Sequence, residues 1–150
     1  YHNIYGPLGT WQGGREKAPA AICRKVAYAK SGDSIEVWGD GTQTRSFLYI
    51  DECIEATRRL MQSEFSGPIN IGSEEMVSIN DLVNITAGVA GKKIDMNYNL
   101  TAPRGVAGRN SDNRLIREKL GWDYDMSLTE GLRKTYEWIC QQLNLGKQKF

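Results

Sequence analysis

Residues 15–21, REKAPAA, place two cations, Arg15 and Lys17, where a helix is expected to open. Unpaired amides already make that end of a helix positive, so cations there do not serve stability. They would serve chemistry. A lysine crowded by positive charge suits proton exchange with a substrate carbon. The same spot suits an anionic group such as a diphosphate. The plain alternative for Lys17 is a solvated loop residue. Glu16 beside it is a candidate partner for a sugar hydroxyl, or a first-turn acid favoured by the helix dipole.

Other residues could share such a site. Asn3 could offer its amide to a phosphate or sugar oxygen at a strand end, where open α/β sheets bind ligands, or could simply stabilise a turn. Arg45 and Arg109 are the diphosphate candidates, because a planar guanidinium matches phosphate geometry; surface salt bridges are the competing use. Gln43 and Thr44 are candidates for ribose or base contacts. Lys25, two turns into the first helix, reaches either a nucleotide or solvent. Arg104 is a weaker candidate in TAPRGVAG, and Asp112 either caps a helix or orients Arg109. Trp11 lies in a glycine-rich loop and could line or close a sugar pocket, with Gly13 and Gly14 as hinges. His2 is read as structural.

These residues need elements to hold them. Residues 1–5 read as the end of a strand, followed by the loop YGPLGTWQGG. A helix from about Ala18, with Pro19 as its first residue, carries Ala18, Ala21, Ile22 and Val26 on one side. SIEVWGDG is a strand running into a turn, and SFLYI is a second strand. Asp51 is the expected N-cap of a helix burying Ile54, Thr57, Leu60 and Met61. PINIG is a short strand. Ser78, with Asp81 completing a capping box, opens a helix that buries Leu82, Val83, Thr86 and Val89 and stops at Gly91. IDMNYN is a strand. Ser111 is the expected cap of a helix ending at Leu120–Gly121. Ser127 and Glu130 box the last helix, whose inner face is Leu128, Leu132, Thr135, Ile139 and Leu143. Trp38, Trp122 and Trp138 are expected in the core, and GKQKF is expected to fray. Strands alternating with helices make the fold class α/β.

Composition narrows the function. The net charge is +1, which points neither to nucleic acid nor to an anionic membrane. No apolar run is long enough for a membrane-spanning helix. Cys23, Cys53 and Cys140 are widely spaced in helical patterns, so reduced thiols in a cytoplasmic protein are expected, and no metal-ligand spacing occurs. No G-x-G-x-x-G or G-x-x-G-x-x-G stretch is present, so the phosphate-cradling turn of a dinucleotide-binding half is missing. No tyrosine is followed four residues later by lysine. The chain opens on Tyr1 inside a strand-like stretch, and the expectation is a C-terminal fragment of one domain.

Three stretches then carry a resemblance. YHNIYGP resembles the N-x-Y-G-P stretch of the extended short-chain dehydrogenase/reductase family of NAD-dependent epimerases and dehydratases. WGDGTQTRSFLYIDEC is similar to that family's G-D-G-x-Q-x-R-x-F-x-x-[IV]-D motif, and GRNSDNRLIREKLGW to its R-x-x-D…L-G-W ending. Taken with HNIYGPLGTWQGGREKAPAA and NIGSEEMVSIN, the likeness runs over about residues 1 to 145. It is strongest to the branch acting on GDP-sugars.

The resemblance implies the substrate-binding portion of a Rossmann-type fold, residues 1–150 forming one sugar-nucleotide-binding domain without its NAD-binding half. It implies oxidation of the sugar at C4 by NAD, proton exchange at C3 and C5, and reduction back. It places NAD and the catalytic Tyr/Lys pair outside this chain and Lys17 as an acid/base residue within it. It further implies substrate contacts from Asn3, Glu16, Lys17, Ala18, Lys25, Gln43, Thr44, Arg45 and Arg109. No cofactor or metal ligands are expected here. A GDP-sugar and a second copy of the protein are the expected partners. Two alternatives stay open: another nucleotide-sugar epimerase or dehydratase of the family, and a non-catalytic nucleotide-sugar-binding or assembly module.

Overall fold

A computed structural model describes residues 1–103 and 105–147, leaving Arg104 and residues 148–150 outside the description. Seven strands and five helices are defined: β1 (Ile4–Tyr5), α1 (Ala18–Tyr28), β2 (Ser34–Trp38), β3 (Thr44–Ser46), β4 (Leu48–Tyr49), α2 (Ile50–Gln62), β5 (Met76–Ser78), α3 (Ile79–Ala90), β6 (Asp95–Asn99), β7 (Gly108–Arg109), α4 (Arg114–Leu120) and α5 (Leu128–Lys147). β1 pairs with β4 and β2 with β6, both parallel, and β3 lies between antiparallel β5 and parallel β7. The mixed α/β class is as expected.

The larger core forms where α1, α3 and α5 meet β2, through Cys23, Val26, Ile35, Val37, Leu82, Val83, Leu132 and Ile139. The smaller one joins α2 to α4 through Cys53, Ala56, Ile71, Ile116 and Trp122. Several local signals act as read. Ser78 accepts from the Asp81 amide at 3.0 Å, Glu130 N–H points to Ser127 Oγ at 3.3 Å, and Gly91 closes α3 at φ 63°. α1 begins one residue before Pro19, with Lys17 as its N-cap.

Other expectations are corrected. SFLYI is not one strand: Ser46 ends β3, Leu48 starts β4 in a different sheet, and Ile50 already belongs to α2. Tyr49, not Asp51, is the N-cap of α2, so Asp51 and Glu52 become first-turn acids that favour the dipole. The inner stripe of α2 is Cys53, Ala56 and Leu60, while Ile54 and Met61 are 58% and 81% exposed. Small residues face inward there. PINIG forms no strand. Its end is held instead by His2 N–H on the Ile71 carbonyl (2.9 Å) and Asn113 Nδ2 on the Gly72 carbonyl (2.8 Å). Asn113 replaces Ser111 at the start of α4, because the Ser111 hydroxyl is spent on Asn113 Oδ1 at 2.6 Å. Trp122 is buried and Trp138 half-buried, but Trp38 is 52% exposed. The frayed tail expected at GKQKF falls largely outside the described residues.

Candidate functional site

A cleft of about 560 Å³ opens where the start of α1 meets the end of β2 and the face of β3. Its apolar floor is Ile22, Val37 and Phe47; Asn3, Glu16, Lys17, Ala18, Lys25, Gln43 and Arg45 are all among its lining residues. Residues far apart in sequence are thus brought together. Thr44 and Arg109 lie outside the lining. Arg109 sits on β7 directly opposite Arg45 across the parallel pair, exposed to solvent. Arg104 is outside the described residues. Asn113 holds the N-cap position of α4, but the Asp112 carboxylate accepts from the Arg114 amide that opens the helix (3.1 Å) and from Arg114 Nη2 (2.5 Å), and no contact with Arg109 occurs among the described residues.

The charges of the lining divide into matched and unmatched. Glu16 pairs with Arg24 at 2.7 Å and also accepts from the Gly14 amide at 2.7 Å. Its side chain is only 8% exposed. The hydrogen bond from its own backbone, together with Arg24 and the Gly14 amide, holds its carboxyl below the ordinary glutamate range. Glu16 is therefore not a first-turn acid, and each of its oxygens already accepts one hydrogen bond within the chain. Lys25 donates to the Glu36 carbonyl at 2.6 Å, with the Glu36 carboxylate 3.8 Å away. Among the described residues, Lys17 and Arg45 have no carboxylate partner. Lys17 is exposed at the N-cap with no side-chain cap bond. Among the described residues Arg45 donates to the carbonyls of Thr44 and Val106.

Polar atoms of the lining follow the same division. Asn3 adopts φ 45°, unusual for a residue with a side chain, and its amide nitrogen donates to the Ser46 carbonyl at 2.9 Å. That bond fixes the start of β1 beside the junction of β3 and β4. Gln43 donates to the Trp38 carbonyl at 2.9 Å, leaving its Oε1 buried without a partner. Trp11 does not line the cleft. Its ring stands edge-on to Trp138 of α5, with centroids 6.4 Å apart.

Arg24, Glu36, Trp38, Phe47, Ile79 and Pro103 line the cleft without having been singled out from the sequence. The alternation in SIEVW held a usable signal for two of them, Glu36 and Trp38. Ile35 and Val37 face inward, so Ser34, Glu36 and Trp38 must face out. Arg24 carries no comparable signal, since its partners Trp11 and Glu16 lie outside the helix. Among the described residues, no group of His, Cys, Asp and Glu could hold a metal ion, and no helix is long and apolar enough to cross a membrane.

The fold is a portion of the Rossmann-type architecture used by epimerases of the extended short-chain dehydrogenase class. The chain aligns with UDP-glucose 4-epimerase of Thermotoga maritima at TM-score 0.85 and 28% identity, covering 95% of this chain and 45% of that one. It aligns with UDP-glucuronic acid 4-epimerase of Bacillus cereus, solved with a fluorinated UDP-glucuronic acid and NAD, at TM-score 0.82 and 28% identity, over 95% and 44%. The family described as GDP-mannose 4,6 dehydratase matches residues 1–135, and the chain belongs to that family. Within it, the chain is 56% identical over 149 residues to GDP-mannose 3,5-epimerase of Arabidopsis thaliana. That match covers 99% of this chain and 39% of the relative.

Proposed function

We propose that this chain is the substrate-binding portion of an NAD-dependent GDP-mannose 3,5-epimerase. The observation that carries the reading is the pair of unmatched cations, Lys17 and Arg45, lining one cleft with an apolar floor. Arg45 takes the diphosphate there, with Arg109 as a second, outer contact, because charge-assisted bonds to a guanidinium suit phosphate oxygens. Asn3, Gln43, Lys25, Ala18 and Glu16 shape the sugar and nucleoside ends, and Thr44 stands just behind. The 56% identity to a plant GDP-mannose 3,5-epimerase supports this substrate over the UDP-sugars of the aligned structures.

NAD does not fit the residues present. The chain offers no glycine-rich strand–turn–helix to cradle a dinucleotide diphosphate. Hydride transfer is therefore assigned to the remainder of a longer protein. What this chain contributes follows from the chemistry of a C4 ketone, which acidifies the protons on C3 and C5. Lys17 gives or takes one of those protons, and its charge steadies the enolate. The free, buried thiols of Cys23 and Cys53 support a cytoplasmic setting. The exposed Tyr1, Ile54 and Met61 support a homo-oligomer.

In the full-length enzyme, Lys17→Met is expected to spare C4 oxidation and block entry of solvent deuterium at the carbon Lys17 serves. Lys17→Arg should fail as well, because a guanidinium stays protonated. Near-normal deuterium incorporation in Lys17→Arg would reduce Lys17 to an anion contact. The isolated chain, incubated with NAD and GDP-mannose, should leave the sugar unchanged.

A further inference from the structure

Between β1 and α1 the chain runs through a loop that supplies Lys17, and little packing restrains it. Gly13 and Gly14 have φ of 93° and 85°, and no heavy atom lies within 4 Å of where a side-chain Cβ would stand on either. A loop built this way would let its last residues wander. One side chain ties it down. Arg24 reaches back along α1, as long helical side chains do, toward the helix start. Its Nε donates to the Trp11 carbonyl at 3.0 Å, and its Nη2 meets Glu16 Oε1 at 2.7 Å. The other oxygen of Glu16 holds the Gly14 amide at 2.7 Å. Trp11 is in turn braced against Trp138 of α5. Arg24 thus holds residues 11, 14 and 16 of the loop at once, and residue 17 is the next in line.

The geometry points to Arg24 as the positioning residue of the cleft. It sets where Lys17 enters and neutralises the Glu16 carboxylate beside an anion site. It does so through the loop, whatever its own reach toward the ligand. A lysine could not replace it, since two acceptors in different directions need the planar fork. The inference rests on the reading of Lys17 as a proton-exchanging residue.

The test uses the full-length enzyme. Arg24→Met is expected to lower the rate of deuterium exchange into GDP-mannose on the order of 10²-fold, the effect of a displacement near 1 Å. The rate of C4 oxidation at saturating substrate should fall by no more than about threefold, because hydride transfer does not depend on the aim of Lys17. Arg24→Lys should recover only part of the exchange. Because Arg24 acts through Glu16, the double variant with Glu16→Gln should be no worse than the poorer single one. Equal losses of oxidation and exchange, or a raised KM with exchange intact, would overturn the assignment. If Lys17→Met still exchanges deuterium, the Lys17 reading has failed, and the tether is then read directly. Arg24→Met should speed protease cleavage within residues 11–16 while cleavage elsewhere stays unchanged. Unaltered cleavage there would overturn the tether itself.

Discussion

The cleft and the α2–α4 flank are built from similar materials to opposite ends. On the flank, charges are matched. Glu55 takes Arg58 and Arg59, Arg117 bridges Glu74 and Asp123 at 2.6 Å each, and Arg114 holds Asp112. Around the cleft, Lys17 and Arg45 have no carboxylate partner among the described residues. Gln43 Oε1, in the lining, is buried without a hydrogen-bond partner, as are Ser46 Oγ and Asn80 Oδ1 outside it. Each of those atoms belongs to β3, to the residue before it, or to α3 where it abuts Gly41. Buried polar groups are normally paired, so the exceptions call for a reason. Unsatisfied groups of this kind are what the proposed binding of a ligand in the cleft would use, whereas the flank satisfies its own.

The comparison can be broken most sharply from the flank. Ile116 is fully buried in α4 between α2 and Trp122. Ile116→Ala is expected to cost about 2–5 kcal/mol of stability by transfer and cavity terms. GDP affinity of the surviving folded protein should not change, and a loss of affinity in step with stability would mean the two regions are one unit.

Arg45→Ala should do the reverse. Removing a charge-assisted contact is expected to cost roughly 1.5–3 kcal/mol of GDP binding. Calorimetry would read this, with added salt weakening the wild-type affinity. Arg109→Ala should cost less, because Arg109 stands outside the lining; equal effects would move the diphosphate toward β7. Arg117→Ala, by contrast, should lower Tm slightly and leave GDP binding alone.

Acid should act on the cleft through Glu16. Its carboxyl lies lower in the folded chain than in the unfolded one, so the folded state binds fewer protons. Its stabilising contribution is whole above the ordinary glutamate value of about 4.3 and is lost as pH falls through the lowered folded value. Near-UV circular dichroism of the Trp11–Trp138 pair should report this step, and Glu16→Gln should remove it. The smallest effect concerns the thiols. Burial pushes Cys23 up to about 12. In the folded chain the half-buried Cys140 should be alkylated before Cys23 or Cys53.

What was legible in the sequence is what depends on near neighbours. The Ser78–Asp81 and Ser127–Glu130 starts, the Gly91 stop and the β6 strand follow from turn and cap chemistry within a few residues. The family resemblance also named seven of the residues that line the cleft, Asn3, Glu16, Lys17, Ala18, Lys25, Gln43 and Arg45. The sequence reaches its limits where two local patterns compete. Ile54 and Met61 and the true inner residues Cys53, Ala56 and Leu60 both form a helical stripe on α2. Only the close approach of α2 to the neighbouring core decides between them.

From residues alone, then, the α/β class, most helix ends and the family resemblance were determined, because caps, alternation and motifs are short-range codes. The tertiary structure alone decided three things. It divided SFLYI between two sheets. It brought Asn3, Lys17 and Arg45 to one cleft. It enlisted Arg24 to tie the loop that carries Lys17. Each depends on a contact between residues distant in sequence or in different elements, and the energy of such contacts cannot be read until the chain has closed on itself.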